Sequence, residues 1–235
     1  MFFRSVIYYI LFSLNLIAFG VICLPLFIMP TRIGLKVLKI WAKVSQKILQ
    51  YVCSIDYEVI GKENIPKSKV IIASKHQSAW ETLNFIHILE NMPIMILKKE
   101  LLLIPFFGIY AMKFGNIAID RKVGSSALKR MVEKAESTMT NNRPILIFPE
   151  GTRQDIDSNG KYKRGVLYLY KNLGIPCVPV ALNSGKYWPK NTIKKNPGKI
   201  SIEFLNPIEP GLNDQDFMKK LQTSIEKSTK ELLKR

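Results

Sequence analysis

After Tyr51 the chain alternates short apolar β-prone runs with helical stretches, and this alternation narrows the possible architectures more than any other feature. The strand candidates are 57–60, 70–74, 94–97, 116–119, 144–148, 177–182 and 200–205; the helix candidates are 78–89, 125–139, 165–172 and 214–234. Glycines and prolines mark the joins. Such a pattern predicts an α/β domain: a largely parallel, mixed sheet flanked by helices. In sheets of this kind ligands collect beyond the C-terminal strand ends. Pro179 has no N–H to give to a ladder, so the sixth strand is expected to lie at an edge or to bulge.

No charged residue occurs from Ser5 to Thr31. About 20 apolar residues suffice to cross a bilayer as a helix, and this run is longer. It lacks the short apolar centre and the cleavage site of a signal peptide, so it reads as an N-terminal hydrophobic membrane-anchoring helix. Asn15, Gly20 and Pro25 leave open a bent helix that dips into one leaflet. Arg32, Lys36, Lys39, Lys43 and Lys47 follow the run, against Arg4 before it. That asymmetry places the large C-terminal part in the cytoplasm, at the inner membrane if the cell is bacterial. Over 33–51, Leu35, Leu38, Trp41, Ala42, Ser45, Ile48 and Leu49 fall on one helical face and the lysines on the other. This is either a basic amphipathic helix lying on the membrane surface or a helix packed on the domain. The expected division is an anchor and interfacial helix over 1–52 and a second domain over 53–235.

At 235 residues with 47% hydrophobic content, the chain is long enough for one well-packed domain with an appendage. A net charge of +17 suits an anionic partner without naming it. Cys23, Cys53 and Cys177 form no CxxC pair, which favours a reducing compartment. HExxH, GxxxxGK, strand-linked GxGxxG and GxSxG are all missing, which removes the main support for zincin, P-loop, dinucleotide-binding and serine-hydrolase readings.

Two blocks carry candidate chemistry. His76-Gln-Ser-Ala-Trp-Glu81 follows the apolar run 70–74, so one of only two histidines stands where a strand ends and a helix begins. An imidazole titrates at about pH 6.5, which suits a general base, and Glu81 is placed to orient it. Ser78-x-x-Glu81 is also a capping-box pattern, in which the glutamate reaches back to the helix start. Both readings stand at this level. The second block, Phe148-Pro149-Glu150-Gly151-Thr152-Arg153, again follows a strand with a tight polar turn. Lys98, Arg121, Arg153, Lys163 and Arg164 follow strand ends or turns and are candidates for holding a phosphate. Arg121 and Arg153 stand out by position.

These blocks resemble those of the glycerolipid acyltransferases, most closely the 1-acyl-sn-glycerol-3-phosphate acyltransferases of phospholipid synthesis. His76–Glu81 is similar to the family's H-x4-D block, with Glu in place of the usual Asp. Gly115–Arg121 is similar to the second block, Phe148–Arg153 to the third and Val178-Pro179-Val180 to the fourth, in the family's order between about 70 and 182. The resemblance implies transfer of a fatty acyl group from an acyl thioester, acyl-CoA or acyl-carrier protein, to the sn-2 hydroxyl of lysophosphatidic acid, giving phosphatidic acid. It implies His76 as base and Glu81 as its partner, with Lys98, Arg121, Glu150, Gly151, Thr152 and Arg153 binding substrate. Backbone N–H groups near Ser78 would face the oxyanion. It implies no metal and no cofactor beyond the acyl donor, and membrane lipids as the surroundings.

A neighbouring acyltransferase acting on glycerol 3-phosphate or another lysophospholipid would use the same blocks. A membrane-tethered nucleic-acid-binding protein is suggested by charge alone, and no recognised nucleic-acid module supports it. A purely structural surface protein leaves His76 and the 150–153 turn unexplained.

Overall fold

Side chains alternate across the central strands, and that period of two decides the layering. The computed structural model describes residues 1–104, 107–120, 124–139, 142–158 and 160–235. Its seven strands are β1 (Ile55–Ile60), β2 (Ile71–Ser74), β3 (Ile94–Lys98), β4 (Ile117–Ile119), β5 (Ile145–Ile147), β6 (Cys177–Leu182) and β7 (Gly198–Phe204). They form one sheet in the order β1-β7-β6-β2-β5-β3-β4, parallel throughout except for the antiparallel pair β6–β7.

Ile71, Ala73, Ile145, Ile147 and Cys177 face one way, into a core with α5 (Ser125–Thr138), α6 (Gly165–Leu173) and α8 (Asp214–Lys234). Ile72, Leu146, Val178, Val180 and Leu182 face the other, toward α2 (Thr31–Cys53) and α3 (Trp80–Ile88), in the cluster that Ala111 of α4 (Phe107–Lys113) also joins. Strands buried on both faces need continuous apolar runs, which these are. The crossover after β2 runs through α3 on one face, and the crossover after β5 runs through α6 on the other. The C-terminal ends of β2 and β5 are therefore neighbours from which the chain departs in opposite directions, the crevice where such sheets bind ligands.

Strand β6 is internal, so Pro179 is not at an edge. It sits at a bulge: Cys177 is opposite Ile208, whereas Val180 is opposite Phe204, which leaves one extra residue on the β7 side. The Pro179 carbonyl still accepts from Leu205 N–H at 2.9 Å. The missing donor falls where the ladder is already interrupted.

Helix α1 (Phe2–Ile22) is long and apolar enough to cross a membrane, by length and composition. One stripe of it is joined to the domain. Tyr8 is buried edge-on against Trp188, Asn15 Nδ2 donates to Ser45 Oγ at 2.9 Å, and Ser5 Oγ accepts from Lys195 N–H at 2.9 Å. The other stripe, Phe3, Ile7, Ile10, Leu14, Ile17 and Val21, is exposed.

For the amphipathic helix the structure selects one of the two readings. Trp41, Ala42, Ser45 and Leu49 of α2 are buried, and Trp41 and Leu49 share a core cluster with Tyr8, Trp80 and Phe85. The apolar face of α2 is packed on protein and is not available to lipid. Its outer face mixes exposed Ile33, Ile40, Val44 and Tyr51 with Lys36, Lys43 and Lys47. The expected boundary at 52/53 is not a break in packing, because one core runs across it.

Candidate active site

His76 leaves the end of the central strand β2 two residues past Ser74, and Glu81 lies in the first turn of α3. Their side chains meet: His76 Nδ1 is 2.9 Å from Glu81 Oε1. The same oxygen accepts the N–H groups of Gln77 at 2.7 Å and Ser78 at 2.8 Å. Oε2 accepts the hydroxyls of Ser78 at 3.1 Å and Ser184 at 2.8 Å. Burial acts to raise the Glu81 carboxyl, but the hydrogen bonds from His76 and the Ser78 N–H hold it below its ordinary range. An ionised carboxylate only accepts, so the proton between the two side chains lies on Nδ1 and leaves Nε2 free to act as a base. Glu81 is fully buried while His76 is 16% exposed, so the imidazole is the member of the pair that substrate can reach.

Capping and orienting are thus both performed. Ser78 Oγ caps the helix by accepting from Trp80 N–H at 2.8 Å, and Glu81 satisfies the amides just before it. Of the amides near Ser78, those of Gln77 and Ser78 itself are taken up by Glu81 and do not face an oxyanion.

Phe148 follows β5 directly and stacks on the His76 ring, with centroids 4.0 Å apart and planes 18° off parallel. The turn after it folds back at once, Gly151 N–H donating to the Phe148 carbonyl at 2.9 Å. Gly151 has φ +71°, a left-handed conformation that glycine adopts without steric cost. Gln154 N–H donates to the His76 carbonyl at 2.7 Å, which ties the two blocks together.

A cleft of about 690 Å³ opens beside the imidazole. Leu101, Leu128, Met131, Phe148 and Val166 give it an apolar wall, and Lys98, Arg153, Lys163 and Arg164 a basic rim. Gly151 and Thr152 also line it, as do Gly124 and Ser125 at the start of α5 and Gly165 at the start of α6. Two helix N-termini beside four cations make this an anion-attracting mouth. The arrangement can therefore accept a phosphate at the rim, an acyl chain along the wall and a hydroxyl at His76.

Glu150 sits differently from its expected place. It does not line the cleft but lies buried behind it. Its Oε2 accepts from His76 N–H at 2.8 Å, and its Oε1 is 2.6 Å from the Lys75 ammonium, an ion pair without aligned hydrogen-bond angles. Lys75 also binds both oxygens of Glu226 on α8, at 2.8 and 3.0 Å. Burial pushes the Glu150 carboxyl up, against the pull of Lys75 and the His76 N–H. Glu150 is thus a brace for the His76 backbone. Lys98 lines the rim, half-exposed and 3.4 Å from Glu100. Arg121 lies outside the described residues. Among the described residues no group of three or more His, Cys, Asp or Glu side chains is placed to hold a metal ion.

Lys75 and Ser184 carry the site without any mark in the motif pattern. A lysine directly after a four-residue apolar strand is a detectable signal for Lys75, since a cation there needs a buried partner. Ser184, more than a hundred residues from Glu81, has no such signal.

The family profile described as Acyltransferase matches residues 56–183, more than half of the chain. The chain belongs to the acyltransferase family. A 1-acyl-sn-glycerol-3-phosphate acyltransferase of Pseudomonas aeruginosa is 38% identical over 201 residues, covering 85% of this acyltransferase and 78% of that one. A protein of the same description from Borreliella burgdorferi is 34% identical over 181 residues, with 76% and 72% covered. The alpha form from Mus musculus is 30% identical over 171 residues, covering 71% of this chain and 60% of its own. The crystal structure of the 1-acyl-sn-glycerophosphate acyltransferase from Thermotoga maritima has the same fold, with a TM-score of 0.81 at 23% identity over 99% of this chain and 96% of that one.

Proposed function

We propose that this acyltransferase moves a fatty acyl group from an acyl thioester to the sn-2 hydroxyl of 1-acyl-sn-glycerol 3-phosphate, giving phosphatidic acid. The observation that carries the reading is the His76–Glu81 pair at 2.9 Å, opening on a cleft with a basic rim and an apolar wall. The descriptions of the Pseudomonas, Borreliella and mouse relatives support the choice of acceptor.

In this reading His76 Nε2 takes the proton of the acceptor hydroxyl as its oxygen attacks the thioester carbonyl. The C–S bond then breaks and the leaving thiolate takes the proton from the imidazolium. Such base assistance is worth about 10²–10⁴ in rate. Glu81 holds the tautomer and stabilises the imidazolium. Lys98 and Arg153, together with Arg121 of the second block, bind the phosphate; Gly151 and Thr152 line its approach, and Glu150 supports His76 from behind. The acceptor supplies the nucleophile, so no acyl-enzyme is required, and the acyl donor, acyl-CoA or acyl-carrier protein, is a substrate and not a cofactor.

The exposed stripe of α1 and the outer face of α2 fit contact with lipid, because soluble proteins rarely leave so long a row of large apolar side chains uncovered. Acceptor and product both reside in membranes, so a cleft held at the surface need not extract them into water. Lysines after α1 favour a cytoplasmic catalytic part. A labelled acyl-transfer assay with several lysolipids, glycerol 3-phosphate and both donor types tests the proposal. It expects phosphatidic acid as the main product, and preferential acylation of glycerol 3-phosphate or of a lysolipid without a terminal phosphate overturns it.

A further inference from the structure

The two oxygens of the Glu81 carboxylate are held by different parts of the fold. Oε1 lies with His76 Nδ1 and the Gln77 and Ser78 amides, while Oε2 accepts the hydroxyls of Ser184 at 2.8 Å and Ser78 at 3.1 Å. Ser184 approaches from the end of the adjacent strand, β6. It opens the short helix α7 (Ser184–Tyr187), two residues after β6, and stands 103 residues from Glu81 in the chain.

The approach is fixed by the backbone. Gly185 N–H donates to Gln77 Oε1 at 3.1 Å, and a Cβ on Gly185 would come within 2.8 Å of Ile156 and 3.0 Å of Gln77 Cβ. The Ser184-Gly185 segment is therefore pressed against the loop that carries His76. Asn183 secures it from the other side, its Nδ2 donating to the Leu232 carbonyl at 3.0 Å and its Oδ1 accepting from Ser201 N–H at 2.8 Å. Ser184 and Glu81 are both 0% exposed, so no bulk water competes for the bond. A hydrogen bond to a buried charge in such a setting is among the stronger ones.

We propose that Ser184 is a positioning residue: its hydroxyl holds the outer oxygen of Glu81 and thereby keeps the inner oxygen on His76 Nδ1. The proposal rests on the reading of His76 as the base. Ser184 acts through residue 81, so its hydroxyl matters only while a carboxylate stands there.

A double-mutant cycle tests this on the full chain in lipid vesicles, with kcat, acceptor KM and melting temperature measured for each protein. Ser184→Ala is expected to lower kcat about tenfold or more, with KM within about twofold. Ser184→Thr, which keeps the hydroxyl, is expected to recover most of that loss. In the Glu81→Ala background, where no carboxylate remains to be held, Ser184→Ala is expected to change the residual kcat by less than about twofold. Equal costs in the two backgrounds overturn the proposal, as does a lowered melting temperature with unchanged kcat. Should Ser184→Ala fail to fold, Ser184→Cys keeps the shape, weakens the donor and enters the same cycle. Full turnover in His76→Ala would strike down the base itself, whereas additive costs beside an inactive His76→Ala strike down only the role of Ser184.

Discussion

The His76 ring and the Glu81 carboxylate meet at 2.9 Å although the same oxygen also accepts two backbone amides, those of Gln77 and Ser78. One carboxylate therefore fixes the loop, the helix start and the imidazole together. The ring cannot be reoriented without disturbing the backbone that carries it, which is the kind of support a precisely placed base requires.

Removing that carboxylate is expected to cost both rate and stability. Glu81→Ala leaves buried N–H groups without acceptors, at about 1–3 kcal/mol each, and frees the imidazole tautomer. We expect kcat to fall on the order of a hundredfold or more, with Glu81→Asp far less affected. Steady-state kinetics beside urea unfolding separates the two effects. A loss of stability with unchanged kcat would leave Glu81 as a cap alone.

Lys75 tests the brace behind the site. It is 1% exposed and neutralises Glu150 and Glu226 together. Lys75→Met leaves two inward-facing carboxylates without their cation, and breaking a buried pair in this way costs about 3–5 kcal/mol. The destabilisation should shrink as pH falls and Glu150, whose carboxyl burial already pushes up, takes a proton. Urea unfolding at several pH values measures it.

His87 predicts a pH dependence away from the active site. Burial, reinforced by Lys43, Lys39 and Lys62, lowers its imidazole to about 4. Tyr57 Oη stands 3.2 Å from its Nε2. In the unfolded chain a histidine titrates at about 6.5. Between those values the unfolded state binds the proton and the folded state does not, so stability declines as pH falls from about 6.5 toward 4. His87→Gln should flatten that part of the stability profile in thermal melts from pH 7 to 4. An unchanged slope would mean that His87 is protonated in the fold.

Arg153 is expected to act through binding. Its place on the cleft rim predicts that Arg153→Ala raises acceptor KM about tenfold or more, as loss of a charge-assisted bond does, while kcat changes less. Acceptor titrations at two salt concentrations check this; an unchanged KM would remove the phosphate contact.

Much of the fold was legible before any coordinates. The strand at 177–182 and the helix at 214–234 coincide with β6 and α8, because one is a continuous apolar run and the other an amphipathic helix with its own Asn213 cap. Strand β1 begins two residues early and β7 runs from Gly198, since pairing between them extends past the apolar core residues. The sequence left two readings of α2 open because periodicity identifies an apolar face but not what covers it. Trp41 and Leu49 look the same to a sequence whether they meet lipid or protein. His76, Glu81 and the 148–153 turn were legible because local spacing places them. Glu150 was misplaced because a turn motif does not reveal which way a carboxylate points, and its partner Lys75 is 75 residues away in the chain.

The most direct test of the account is acyl transfer by His76→Ala, assayed in vesicles with labelled 1-acyl-sn-glycerol 3-phosphate and an acyl thioester. The account predicts phosphatidic acid from the native protein and turnover lowered by about 10²–10⁴ in the variant, with an unchanged circular dichroism spectrum. Phosphatidic acid formed by His76→Ala at the native rate would contradict it.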